Sequence, residues 1–364
     1  MFSLPLLFLP AVLVSAHRFP SHSRLRSRSC HVNDSSSSGL AAPVPVSSND
    51  SSTSGCFPSL GFEMPSDVPN SAEGWWCDPA TEYAFVGFSY EVTSCQSLQK
   101  LNKDFADIRN RFHSRYVRLY GACDRDGFYD DVIEAAWDNT LGVHALIWFG
   151  FDGTDQWMGR RDNLFSTLHS NPKAQFVTRV VQFGSEPLFD GVLPSDTLAA
   201  QVLSAKNNLS SLGIPVTVSE LAYGYQENGG AQNVLDVIDS INIHMLPFFS
   251  SDATTGGDSW SLVLDDLNWF IEKGKGKKMY FDENGWPSVT SEAVQSNGPN
   301  AVASVGSEHA YFSLLDQHCN DLKNVVGGGV GWFAHIYSDN QEPGYGIYDS
   351  SGKLKFPFAP RTLC

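Results

Sequence analysis

The feature that most constrains this chain is a repeat of short apolar runs alternating with helix-like runs. Eight strand candidates, rich in Val, Ile, Phe, Tyr and Trp, start between residues 84 and 330: Ala84–Glu91, Tyr116–Gly121, Val143–Phe151, Val177–Gly184, Val216–Leu221, Ile241–Leu246, Lys278–Glu283 and Val330–Tyr337. Helical patterns fill the gaps. In Gln96–Phe112 the apolar residues Leu98, Leu101, Phe105, Ile108 and Phe112 recur every three or four positions. Asp126–Asn139, Leu164–Ser170, Asp196–Leu212, Ala231–Asp239, Trp260–Glu272 and Glu308–Leu322 read the same way. Pro194 and Gly213 bracket one of these helices with the expected asymmetry. The mean spacing of about 35 residues is the size of one strand–helix unit. Strands apolar almost throughout imply a parallel sheet buried on both faces. Eight such units predict an α/β fold, a (β/α)8 TIM barrel. An open doubly wound sheet fits less well. No G-x-G-x-x-G follows the first strand, and Gly327-Gly328-Gly329 precedes a strand, where it reads as a turn.

The barrel is expected to occupy residues 76–364, behind two segments of other character. Residues 1–16 carry a short apolar run ending Val14-Ser15-Ala16, the pattern of a signal peptide. Residues 17–75 begin with Arg18, Arg24, Arg26 and Arg28 and continue into a Ser- and Pro-rich stretch with too few large apolar side chains to order itself. No later run is long enough to span a membrane. The expectation is a secreted protein, extracellular or held at a cell wall. That setting favours disulfides and makes Asn33, Asn49 and Asn208 glycosylation sequons. There are seven cysteines, none in C-x-x-C spacing. With Cys30 in the leader six remain, and the sequence does not choose their pairing. The net charge of −16 argues against a nucleic-acid partner or an anionic membrane surface. A neutral ligand such as a sugar meets no such barrier.

In a barrel of this kind chemistry sits at the C-terminal strand ends. The fourth strand ends Gln182-Phe183-Gly184-Ser185-Glu186-Pro187 and the seventh ends Asp282-Glu283-Asn284-Gly285-Trp286-Pro287. Each apolar strand delivers a Glu and then a chain breaker, nearly three repeats apart. Two carboxyls converging on one sugar-sized cleft are the requirement for retaining glycoside hydrolysis. A salt-bridge or capping role is the alternative for either Glu taken alone.

Gly184-Ser185-Glu186 and Asp282-Glu283-Asn284-Gly285-Trp286-Pro287-Ser288 resemble the signatures of glycoside hydrolase family 17, the β-1,3-glucanases and glucanosyltransferases, in its fungal cell-wall branch. Arg118-Leu119-Tyr120-Gly121-Ala122-Cys123-Asp124 is similar to the family's second-strand motif. Asn242-Ile243-His244, followed by Pro247-Phe248-Phe249, is similar to its sixth-strand motif. The resemblance spans about Phe85 to Asp339. It implies Glu186 as general acid/base, Glu283 as nucleophile, a β-1,3-glucan substrate, and no metal or cofactor. Three departures stand out. Ser185 stands where the wider clan has Asn, Asn284 where the family has Thr or Ile, and Met245-Leu246 separate His244 from Pro247.

Further candidates follow from strand-end position. Tyr120 and Asp124 are expected to make polar contacts to sugar, and Asn242 and His244 to lie at the sixth strand end, with His244 orienting a catalytic carboxylate. Glu220 is the rival carboxylate, expected to hydrogen-bond near Glu283. Asp282, one residue from Glu283, is expected to point toward the helices. Asp339 follows the eighth strand, as a site residue or a solvated loop residue. Trp286 and Trp332 are candidates either for stacking on a glucose ring or for the core. Besides a β-1,3-glucan hydrolase, the sequence leaves open a glucanosyltransferase, a non-catalytic wall-binding barrel, and a hydrolase of another β-linked polysaccharide.

Overall fold

A computed structural model describes residues 55–150, 153–292 and 294–364. Eight parallel strands close into a barrel in chain order. They are β1 (Ala84–Glu91), β2 (Tyr116–Tyr120), β3 (Gly142–Ile147), β4 (Thr178–Ser185), β5 (Val216–Glu220), β6 (Ile241–Met245), β7 (Met279–Asn284) and β8 (Val330–Ala334). The helices are α1 (Leu98–Phe112), α2 (Phe128–Asp138), α3 (Gln156–Ser170), α4 (Ala174–Val177), α5 (Ser195–Leu209), α6 (Ala222–Glu227), α7 (Gln232–Val237), α8 (Trp260–Lys273), α9 (Val305–Gln317) and α10 (Cys319–Lys323). The (β/α)8 expectation holds. Pro194 caps α5, and Gly213 takes the left-handed conformation that ends the turn after it. No helix among the described residues is long and apolar enough to cross a membrane.

Outward-facing strand residues such as Phe85, Phe88, Phe281 and Trp332 join the helices in one large apolar core. The inward-facing residues form a second, polar stack. At its base the Glu82 carboxylate accepts from Tyr116 Oη at 2.6 Å and from Tyr280 Oη, and pairs with Arg179 at 2.9 Å. Val86, Tyr116, Tyr280 and Phe333 pack together above it, with His144 against three of those rings. This fills the lower barrel, so any cleft opens only at the C-terminal strand ends.

The expected signal peptide, residues 1–16, and residues 17–54 lie outside the described residues, with Cys30, Asn33 and Asn49. Residues 55–75, assigned by composition to the disordered linker, are instead folded onto the barrel. Phe57 is fully buried against Trp75 and Trp76, and Trp75 Nε1 donates to Phe176 O at 2.7 Å. A few aromatics and one cystine anchor a stretch whose average composition is that of a linker. The bridges are Cys56–Cys77, Cys95–Cys123 and Cys319–Cys364. Asn208 sits near the exposed end of α5, its Oδ1 against His169 Nε2 at 3.0 Å.

Candidate active site

Two backbone irregularities bring the reactive side chains together. At the end of β4, Gly184 has φ +97°, and a Cβ there would lie 2.2 Å from the Phe149 ring, so only glycine fits. The register with β5 slips between Gln182 and Ser185. Glu186 itself sits at φ +55°, a left-handed conformation uncommon for a residue with a side chain. Its amide donates to Ser219 O at 2.8 Å, which holds the turn. On β7 the register with β6 jumps from Ile243–Phe281 to His244–Glu283, leaving Asp282 as the extra residue of a bulge. Tyr280 and Asp282 therefore both face inward by ordinary alternation, and Glu283 is the residue that breaks it.

That overturns the expectation for Asp282. Its Oδ2 accepts from Ser219 Oγ at 2.7 Å, Asn242 Nδ2 at 3.1 Å and Gln182 Nε2, deep inside the barrel.

The centre of the site is Arg118, which enters the sequence analysis only as the first residue of the second-strand motif. Its guanidinium is fully buried. It donates to Glu283 Oε2 at 3.0 Å, Ser185 Oγ at 3.1 Å, Ser219 Oγ at 3.0 Å and Gln182 Oε1 at 3.2 Å, and lies 3.6 Å from Asp282. A lone Arg in the apolar run Tyr116-Val117-Arg118-Leu119-Tyr120 was the available signal, since a buried cation requires buried anions. Ser185 is thus a ligand of Arg118, in the position where the clan has Asn.

His244 bridges the two candidate carboxylates. Nδ1 is 2.8 Å from Glu186 Oε1, and Nε2 is 2.7 Å from Ser219 Oγ and 3.5 Å from Glu283 Oε2. Ligand atoms of Glu186, His244 and Glu283 all lie within 4.8 Å of one another. A metal ion could use that donor set by distance alone. However, both His244 nitrogens are already engaged, and Arg118 already supplies positive charge to Glu283. Burial alone would lower the His244 pKa, but Glu283, Glu186 and Asp282 outweigh it and raise it to about 9.

A histidine whose folded pKa lies above its unfolded value of about 6.5 adds stability that is complete below the lower value. That stability is lost as pH rises through the higher one. The wild type is expected to lose up to about 3 kcal/mol between about pH 6.5 and 9 from this group. A comparison of denaturation midpoints for wild type and His244→Gln at the two ends of that window checks it. The variant should show a smaller drop; equal drops would refute the coupling.

The other candidates separate clearly. Tyr120 is at the mouth, its ring edge-on to Trp148 and His335. Burial, then Glu342, Glu283 and Glu186, push its hydroxyl well above the usual phenol range. Asn242 lies below the site, fully buried between Asp282 and His144. Asp124 is on the surface, paired with Arg160 at 2.8 Å, which lowers its pKa. Glu220 points outward, not toward Glu283. Its Oε2 accepts from the amides of Leu188 and Phe189 at 2.7 and 3.1 Å, so it fixes the loop after Glu186. Burial and then Glu186 push its pKa up to about 8.

Trp286 and Trp332 are fully buried and form no sugar platform. Trp286 packs on Phe248 and donates to Val302 O at 3.0 Å, and Trp332 stacks on Phe312. Asn284 is structural, bonded to Phe333 O and Tyr311 Oη. Asp339 holds a turn, accepting from the amides of Gly344 and Gly346. Met245 completes β6 and Pro247–Phe249 forms a short 3-10 turn beyond it.

Comparison with known proteins adds the following. A family model described as the BtgE/BtgC glycoside hydrolase domain matches residues 84–347. A curated relative, the probable glucan endo-1,3-beta-glucosidase btgC of Aspergillus terreus, is 24% identical over 306 residues, covering 76% of this chain and 44% of the relative. The chain thus matches less than half the length of that relative. Among solved structures, an active-site mutant of the Rhizomucor miehei beta-1,3-glucanosyltransferase in complex with laminaritriose aligns with a TM-score of 0.61 at 18% identity, over 76% of this chain and 97% of that one. The glycoside hydrolase family 17 beta-1,3-glucanosyltransferase of the same organism gives 0.60 at 18%, over 77% and 97%. A b-glucuronidase from Ruminococcus gnavus gives 0.53 at 11%, over 75% and 48%. At these identities the structural likeness shows the fold.

Proposed function

The chain belongs to the BtgE/BtgC glycoside hydrolase domain family, and on that basis we propose that it cleaves β-1,3-glucan by a retaining, two-glutamate mechanism. The observation that carries this is the placement of Glu186 and Glu283 against one histidine, with ligand atoms within 4.8 Å. Retaining enzymes hold their carboxyls about 5 Å apart, whereas inverting ones leave room for a water between them.

Glu186 protonates the glycosidic oxygen as Glu283 attacks the anomeric carbon. The bond from that carbon to the leaving oxygen breaks as the bond to Glu283 forms. In the second step a water gives its proton to Glu186, and its oxygen displaces Glu283. Arg118, donating to Glu283 Oε2 at 3.0 Å, holds the nucleophile in place. His244 Nδ1, 2.8 Å from Glu186 Oε1, holds the acid/base carboxyl in place beside the nucleophile.

A second glucan replacing water in that step gives transglycosylation. The two Rhizomucor miehei neighbours are glucanosyltransferases, which supports transfer as the second reading. Three disulfides fit an oxidising, extracellular or cell-wall setting. The test is incubation with end-labelled β-1,3-gluco-oligosaccharides and resolution of product lengths over time. Shorter products alone mean hydrolysis, and products longer than the input mean transfer. Binding without products would overturn both in favour of a wall-binding barrel. Cleavage confined to another β-linked polysaccharide would overturn the substrate assignment.

A further inference from the structure

A third carboxylate stands at the cleft, unused by the chemistry above. Glu342 lies in the loop after β8, with its side chain about a quarter exposed. Its Oε2 is 3.0 Å from Nε2 of His335, which continues β8 and is buried. His335 Nδ1 is buried with no hydrogen-bond partner among the described residues. A carboxylate oxygen only accepts, so Nε2 is the donor of this pair. His335 therefore donates to Glu342 and fixes it, while Oε1 accepts no hydrogen bond from the described residues. The His335 ring is in turn held edge-on between Tyr120 and Tyr345, with centroids 5.4 Å away on both sides. Electrostatically, Glu342 and then Glu283 are the leading anions acting on both tyrosines. The Tyr120 ring also lies 5.5 Å from the Arg118 guanidinium, which bonds Glu283, so the two carboxylates flank one aromatic wall.

We propose that Glu342, locked by His335, accepts hydrogen bonds from O4 and O6 of the glucosyl unit whose anomeric carbon meets Glu283. This rests on the retaining reading above and deepens it. The argument is positional. Glu186 ends β4 and Glu342 follows β8, four strands away and so across the barrel. A pyranose with C1 at Glu186 and Glu283 and its ring extending toward β8 would present its opposite edge, with C4 and the C6 hydroxyl, to Glu342. In a β-1,3-linked chain that edge is free in every unit, because O3 carries the linkage. In a β-1,4-linked chain O4 is the linkage itself. A fixed carboxylate facing that edge therefore selects between the two chains, since a site built to bond a hydroxyl strongly rejects a substrate lacking it.

The experiment compares wild type and Glu342→Gln on laminaritetraose and on donors lacking O4 or O6 in the unit placed at Glu283. Gln keeps an acceptor for His335 and loses the charge. We expect kcat/KM on laminaritetraose to fall by about 10- to 100-fold in the variant. The deoxy donors should be penalised in wild type but nearly indifferent to the substitution, because the two deletions remove one interaction. A merely structural role would lower both substrates alike, which overturns the assignment. So would a wild type indifferent to loss of O4 and O6, a readout that needs no variant. If wild type neither cuts nor transfers β-1,3-linked substrate, the parent reading falls. The Glu342 assignment is then decided by calorimetric binding of laminaritriose to Glu283→Gln with and without Glu342→Gln. An unchanged dissociation constant overturns it.

Discussion

Glu283→Gln is expected to lower kcat on β-1,3-gluco-oligosaccharides by about three to six orders of magnitude, the usual loss when a covalent nucleophile is removed. The fold should survive. Gln has nearly the same volume and still presents an acceptor to Arg118, which retains Gln182, Ser185, Ser219 and Asp282 as partners. The roles of the two glutamates are separable with azide as an external nucleophile. In Glu283→Ala, azide attacks from the vacated face and gives a glycosyl azide of inverted configuration. In Glu186→Ala, with a leaving group that needs no proton, azide displaces Glu283 and gives the retained configuration. The opposite pairing of products with variants would exchange the two roles. Residual activity near the wild-type level in Glu283→Gln would remove the nucleophile assignment altogether.

Arg118→Met should destabilise the protein by about 3–5 kcal/mol, the cost of leaving a buried anion without its partner. Two anions are stranded here, Glu283 at 3.0 Å and Asp282 at 3.6 Å. Arg118→Lys should recover only part of the loss, because one ammonium cannot reproduce the planar fork that serves Glu283, Ser185, Ser219 and Gln182 together. Denaturant midpoints measure both effects. Adding Glu283→Gln to Arg118→Met should return part of the deficit, since it removes one of the stranded charges. A deficit that the second substitution leaves unchanged would mean that Arg118 acts by packing alone.

The barrel was legible in the sequence because its signal is repeated. Eight apolar runs at one spacing outweigh error at any single boundary. Glu186 and Glu283 were legible because each closes an apolar run just before a chain breaker. What was not legible lies where alternation fails or says nothing. Trp286 and Trp332 belong to segments buried on every side, and such a stretch carries no sign of which face meets the cleft. Asp282 and Glu283 both reach the interior because of a bulge that only pairing with β6 reveals. Glu220 ends a strand as Glu186 does, yet it turns outward to hold the loop that carries Glu186. His335 and Glu342 meet through a loop after β8, a contact no strand pattern encodes.

The base of the barrel has a consequence for how the molecule meets a solid substrate. Trp76 reaches the side of Gly142 and Tyr116, the first residues of β3 and β2. Cys364 is tied to Cys319, just ahead of the turn into β8. Both ends of the described chain are therefore moored at the pole away from Glu186 and Glu283. An anchor joined to either end would hold the protein by its floor, with the cleft facing outward. Glucan could then reach Glu186 and Glu283 without first passing the point of attachment.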